Sequence, residues 1–218
     1  LTARRCPIRF FDRRQAGQEL AEALDFLKAR DDVIVLGIPR GGVVVAYEVA
    51  KALGAPLDIF ITRKIGAPDN PEFALGAVAS DGTVVLDRLI VDQLDIPADY
   101  VLDEIKRQRE EIERRMQMFR GERPPPEFKG KVVVLVDDGV ATGATVLASL
   151  RALRQREPAE LILAIPVGPP ETVARLAEEA DRVIALETPE PFWAVGRFYI
   201  RFDQTTDEEV IELLNPSA

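Results

Sequence analysis

Residues Val132–Thr145, VVVLVDDGVATGAT, determine how this chain must fold. Val132 to Val136 run without a polar break, and an unbroken β-branched run fits a strand buried on both faces, as in a parallel sheet. Asp137 and Asp138 follow, then a turn of small and hydroxyl residues from Gly139 to Thr145. Val146 to Leu153 then read as a helix. A strand, a tight loop and a helix N-terminus make an anion site, because the first-turn N–H groups have no intrahelical acceptor and the helix dipole favours negative charge. Gly143 and Ala144 leave the backbone approachable, and Thr142 and Thr145 add hydroxyl donors. The adjacent acids would repel an anion, so they must face hydroxyl groups or a metal carried by the ligand.

A second strand–loop–helix unit precedes it. Val33 to Leu36 is a short buried strand, Gly37-Ile38-Pro39-Arg40-Gly41-Gly42 a loop, and Val43 to Leu53 an apolar helix. This loop carries a cation and no carboxylate. Arg40 can grip phosphate oxygens bidentately, while Gly41 and Gly42 let the backbone approach. Leu57 to Thr62 (LDIFIT) is the next expected strand, and Arg63 and Lys64 then fall at its carboxyl end, the ligand-bearing edge of an open α/β sheet. The bland alternatives are a Gly-rich turn with a solvated Arg40 and a surface basic pair. There is no G-x-x-x-x-G-K-[ST] and no strand followed by G-x-G-x-x-G, which excludes two competing phosphate motifs.

A phosphate loop beside a pair of acids suits a sugar phosphate. The VVVLVDDGVATGAT stretch resembles the signature of type I phosphoribosyltransferases, which bind 5-phosphoribosyl 1-pyrophosphate (PRPP). The likeness spans most of residues 33–200. It implies an α/β fold, an open and mostly parallel sheet with helices on both faces. It implies Mg²⁺-dependent transfer of the phosphoribosyl group to a nitrogenous base. Asp137 and Asp138 would hold the 2′ and 3′ hydroxyls as the catalytic acids. Val140, Ala141, Thr142, Gly143, Ala144 and Thr145 would cup the 5′-phosphate, and Arg40, Gly41, Arg63 and Lys64 the pyrophosphate. Mg²⁺ would be held mainly by PRPP and water, with Asp137 or Asp138 as the protein's candidate ligands. The Gly37–Gly42 stretch resembles the family's pyrophosphate loop, which often holds a cis peptide; Pro39–Arg40 is the candidate bond. Gly66–Glu72 resembles in position the loop that closes over the site, with Asn70 and Glu72 as candidate contacts. A non-catalytic PRPP or nucleotide sensor on the same fold is the competing reading, and a PRPP-making synthetase is disfavoured because no ATP motif is found.

The rest of the chain fits one domain, 1–218, with a core of about 15–187, a helical insert of about 98–121 and a hood or tail of about 188–218. Hydrophobic residues make up 47% of the chain, enough for a sizeable core. Net charge is −9, a poor prior for nucleic-acid binding. There is no histidine, and Cys6 is the only cysteine, which removes imidazole catalysis, cysteine zinc sites and internal disulfides. No apolar run approaches the ~18 residues of a membrane span, and no signal-peptide pattern opens the chain, so a cytoplasmic protein is expected. Residues 1–14 are basic and aromatic and read as an edge segment, the alternative being a docking arm for a partner. Helices are expected over Gln15–Ala29, Tyr100–Arg120, Glu171–Ala180 and Asp207–Leu214, a hairpin at Asp81-Gly82, and strands over Glu160–Pro166 and Arg182–Leu186. The narrow stripe Ile105, Ile112, Phe119 on the charged helix packs either on the domain's own body or in a homodimer. Phe192, Trp193, Phe198 and Tyr199 either close the core or stack on a base.

Overall fold

The computed structural model describes residues 9–215, Glu72 by its backbone alone. Arg4, Arg5 and Cys6 of the basic segment, and the proposed contact from the Glu72 side chain, lie outside the described residues. In chain order the elements are α1 (Arg13–Ala23), β1 (Val33–Gly37), α2 (Gly41–Leu53), β2 (Leu57–Ile59), β3 (Thr62–Ala67), β4 (Asn70–Ala79), β5 (Val84–Leu86), α3 (Arg88–Gln93), α4 (Ala98–Arg120), β6 (Val132–Val136), α5 (Ala144–Arg154), β7 (Glu160–Val167), α6 (Pro170–Leu176), β8 (Arg182–Glu187) and α7 (Asp207–Leu214).

The central sheet is parallel, in the order β2-β1-β6-β7-β8. All five residues of β6 are fully buried. Alternation explains why the run has no polar member. Val132, Val134 and Val136 pack with Leu20 of α1, Leu24 just past its end, and Val45 and Val49 of α2. Val133 and Leu135 face the other way, onto Val146, Leu150 and Leu153 of α5. This is the expected α/β sheet with helices on both faces. The strand order reverses between β1 and β6, the place where open α/β sheets bind ligands at their carboxyl ends.

Two expectations need correction. LDIFIT is not one strand. β2 ends at Ile59, and the chain passes to a separate antiparallel sheet, β3-β4-β5. The buried residues Phe60 and Ile61 make the crossing: Phe60 N–H still donates to Gly37 O of β1 (3.1 Å), while Ile61 O already accepts from Ser80 N–H (2.8 Å). Arg63 and Lys64 therefore lie inside β3 rather than at a carboxyl end of the central sheet. Gly66–Glu72 is likewise not an irregular loop but the end of the β3–β4 hairpin, turning at Pro68-Asp69. The register shifts at Gly66, so that Pro71 sits in a bulge where its missing N–H breaks no ladder bond. A Cβ on Gly66 would come within 2.5 Å of Pro71 O, so only glycine allows that approach.

The stripe of α4 is covered by the chain itself. Ile112 and Phe119 are buried with Ile65 of β3, Leu75 of β4, and Val210 and Leu213 of α7. The short α3 was not foreseen; Asp87 starts it by accepting from Ile90 N–H (3.1 Å). α1 stops at Ala23, short of Ala29, and passes into a 3₁₀ turn at Asp25–Leu27. Its start is set by Asp12, whose carboxylate accepts from Gln15 N–H at 2.9 Å.

At the far end of α4, Arg120 meets Asp58 of β2 in a two-pronged pair, Nε–Oδ1 and Nη2–Oδ2 both 3.1 Å, with each side chain 11% exposed. Removing one partner of so buried a pair strands the other's charge. Arg120→Ala should lower unfolding stability by about 3 kcal/mol, measured from the urea midpoint. A change below ~1 kcal/mol would mark the pair as an ordinary surface contact.

Candidate active site

The register brings two loops together. Gly37 pairs with Val136, so β1 and β6 end side by side, and Ile38 N–H donates to Val136 O at 2.9 Å. The Arg40–Gly42 turn and the Asp137–Asp138 pair then touch. A Cβ on Gly41 would fall 2.0 Å from Asp138 Oδ2, and one on Gly42 would fall 2.9 Å from Asp137 Cα. The two glycines thus make room for the acids as well as for a ligand. The Pro39–Arg40 peptide is cis.

The acids are recessed and strongly restrained. Asp137 Oδ1 accepts from Asp138 N–H at 2.8 Å. Asp138 Oδ2 accepts from Arg13 Nε at 2.7 Å, and the Asp138 carbonyl accepts from the Tyr199 hydroxyl at 2.6 Å. Burial pushes the Asp137 carboxyl well above its ordinary range, and the neighbouring Asp138 charge adds to this. Burial also raises Asp138, against the opposing pull of Arg13. The Tyr199 phenol is raised by burial and then by Asp138, and it stays a donor.

The loop after the acids is shaped from below. Gly139 and Gly143 take positive φ, 150° and 70°. A Cβ on Gly143 would meet Thr172 Cγ2 at 2.7 Å. Val140 is buried and its N–H donates to Val167 O at 2.9 Å. The Thr172 hydroxyl donates to Ala141 O at 2.9 Å, and Arg175 donates to Thr142 O. Those two carbonyls are thus held by α6. Ala141, Thr142, Ala144 and Thr145 are exposed.

The remaining cations are spread more widely than the sequence suggested. Arg40 begins α2 and faces Asp207 of α7 at 3.6 Å. Arg63 points to α4, where its Nε donates to Gln108 Oε1, and Gln108 in turn donates to Glu104 at 2.7 Å. Lys64 lines a cavity of about 340 Å³ with Ala144 and Thr145 of α5. Asn70 opens β4 opposite Ala67, at the hairpin tip. So Asp137, Asp138 and Gly41 come together, with the Arg40 side chain turned to α7; Thr145 and Lys64 meet at a neighbouring cavity; Arg63 is engaged by α4 and lines a second cavity with Lys64. Arg13, Thr172 and Arg175 were missed. Arg13 is one of four arginines at positions 4, 5, 13 and 14, besides Arg9, with nothing in spacing to single it out.

Among the described residues no three His, Cys, Asp or Glu are placed to hold a metal. Two adjacent carboxylates do fit a magnesium ion held chiefly by phosphates and water.

A glycine-rich cationic loop and an acid–hydroxyl loop thus meet at the switch point of a parallel sheet. The chain belongs to the phosphoribosyl transferase family: residues 12–202 match the phosphoribosyl transferase domain. It is 45% identical over 207 residues to "Putative phosphoribosyl transferase Rv0571c" of Mycobacterium tuberculosis strain H37Rv, and equally so to MT0597 of strain CDC 1551. The match covers 94% of this chain but 46% of each relative, so the chain spans about half their length. The crystal structure of TT1426 from Thermus thermophilus is 48% identical, with a TM-score of 0.85 over 94% of this chain and 97% of that one.

The raised Asp137 has a consequence for stability. An acid whose folded pKa exceeds its unfolded value loses stability as pH rises from the unfolded value, about 3.9, toward the folded one. Asp137→Asn keeps the acceptor for Asp138 N–H and removes the charge. The ligand-free variant should therefore melt higher than the wild type at pH 7, with the difference vanishing near pH 4. Equal melting temperatures at both pH values would show that Asp137 carries no desolvation cost.

Proposed function

We propose that this chain catalyses Mg²⁺-dependent transfer of the 5-phosphoribosyl group from PRPP to a ring nitrogen of a base, releasing pyrophosphate. Phosphoribosyl transfer in general is the chemistry of its family. The observation that carries the finer reading is the contact of the two loops, Gly41 against Asp138 and Gly42 against Asp137. It supports reading the acids as hydroxyl acceptors and the two loops as a phosphate cup and a cation-bearing turn for one sugar.

In this reading Asp137 and Asp138 accept the 2′ and 3′ hydroxyls, and Ala141 to Thr145 bind the 5′-phosphate with backbone amides and two hydroxyls. Arg40 and the Gly41 backbone hold the pyrophosphate, with Lys64 approaching from β3. The C1–O bond breaks with its electron pair leaving on pyrophosphate, the sugar passes through an oxocarbenium-like state, and the base nitrogen bonds C1 and passes its proton to the Asp138 carboxylate or to water. Magnesium, when bound, neutralises charge on the departing pyrophosphate. No protein nucleophile is required; fixing sugar, leaving group and acceptor in line supplies the rate. Trp193, 72% exposed, lies two residues before Val195, whose Cγ1 would meet a Cβ on Gly139 at 2.6 Å. We read Trp193 as an open aromatic surface suited to a flat base.

A second reading, a PRPP or nucleotide sensor without turnover, is favoured by the Arg13–Asp138 pair, since a carboxylate already held by a cation is a weaker proton acceptor.

Pyrophosphate release from PRPP and Mg²⁺, assayed across a panel of purine and pyrimidine bases, separates the two. The enzyme reading expects release with at least one base; tight PRPP binding with none would favour the sensor. Asp137→Asn combined with Asp138→Asn should lower transfer by at least ~10²-fold while the fold persists by circular dichroism. Arg40→Ala should weaken PRPP about tenfold and ribose 5-phosphate little; equal loss for both would contradict its pyrophosphate role.

A further inference from the structure

Arg13 makes contacts that none of the roles above require. Its Nε donates to Asp138 Oδ2 at 2.7 Å and its Nη1 donates to the Asp203 carbonyl at 2.7 Å. Its guanidinium carbon lies 3.9 Å from the centre of the Phe202 ring. Phe202 also stacks on Tyr199, ring centroids 5.0 Å apart, and the Tyr199 hydroxyl holds the Asp138 carbonyl. One side of Phe202 therefore supports the cation on the acid's side chain, and Tyr199 supports its main chain. The bare Cα of Gly41 leaves the slot into which Oδ2 fits.

The neighbouring Arg14 shows the contrast. It is half exposed, with carboxylates at 3.4 and 4.0 Å, whereas the Arg13–Asp138 pair is 12% and 15% exposed. A solvated surface pair does not need a stacked ring and a backbone acceptor behind it. Nor does Arg13 exhaust its partner. An ionised carboxylate offers about four lone-pair sites, and Arg13 takes one on Oδ2.

We infer that Arg13 is a positioning residue, which with Phe202 and Tyr199 fixes the Asp138 carboxylate so that its remaining lone pairs meet the sugar hydroxyls. It acts through Asp138 and touches neither sugar nor pyrophosphate. The inference rests on the reading of Asp138 as a ribose-hydroxyl acceptor.

The test is a double-mutant cycle read by calorimetry, with ribose 5-phosphate and, separately, magnesium pyrophosphate as ligands. The proteins are wild type, Arg13→Ala, Asp138→Asn, the double variant, Arg13→Lys and the control Arg14→Ala. Arg13→Ala should weaken ribose 5-phosphate about tenfold and leave pyrophosphate within about twofold. The loss should disappear in the Asp138→Asn background, because neighbours acting as one unit do not add. Arg13→Lys should recover part of the affinity, and Arg14→Ala should match wild type. Unchanged ribose 5-phosphate affinity in Arg13→Ala would overturn the inference. So would an equal fall for pyrophosphate, which marks direct contact or general disruption, or a full additive loss beyond Asp138→Asn. If Arg13→Ala does not fold, Arg13→Gln runs the same cycle. Wild-type ribose 5-phosphate binding by Asp138→Asn would instead remove the underlying hydroxyl-acceptor reading, and the inference with it.

Discussion

The site depends on the in-register parallel pairing of β1 with β6, Val33 opposite Val132 through Gly37 opposite Val136. Because both strands stop at the same level, two loops of opposite chemistry are delivered to one point. A slip by one residue would turn every β6 side chain to the other face and exchange the α1–α2 packing set for the α5 set. Burial on both faces therefore fixes the register, and the register fixes the distance between the acids and the glycines. The hydrophobic core and the chemistry are two consequences of one pairing.

That geometry carries an electrostatic cost. Two carboxylates side by side, drawn out of water, repel each other and are poorly solvated. The chain offsets this with backbone N–H and phenol donors and with the Arg13 cation. The cation reaches the acids from α1, the near-first element of the chain, and it is backed by Phe202 and Asp203 near the end. The isolated bridge between Phe10 and Tyr199 ties the same two regions. The chain's outer segments are thus part of the site's support, and the family match from 12 to 202 takes in both.

Much of this was legible in the sequence where a residue's neighbours in the chain are also its determinants. An all-apolar β-branched run, an acid pair and a small-residue turn before a helix are local statements, and the α/β fold followed from them. The cis Pro39–Arg40 peptide came through family likeness in the same way. What stayed hidden was non-local. The break in LDIFIT is made by hydrogen bonds to Gly37 and Ser80, far apart in the chain. The hairpin over Gly66–Glu72 looked like a loop because Gly and Pro signal turns, whereas here they build a bulge. Arg13 is one arginine in a basic stretch, and only the tertiary fold sets it against Asp138, 125 positions away.

In the proposed mechanism, adjacent acids at the end of β6 read a ribose diol while the loop beyond them holds its phosphate. Calorimetric titration with ribose 5-phosphate and with 2-deoxyribose 5-phosphate tests it most directly, since the two ligands share the phosphate and differ by one hydroxyl. Loss of the 2′ hydroxyl should weaken binding about tenfold, the worth of a hydrogen bond to a charged acceptor. Equal affinity for both sugars would contradict it.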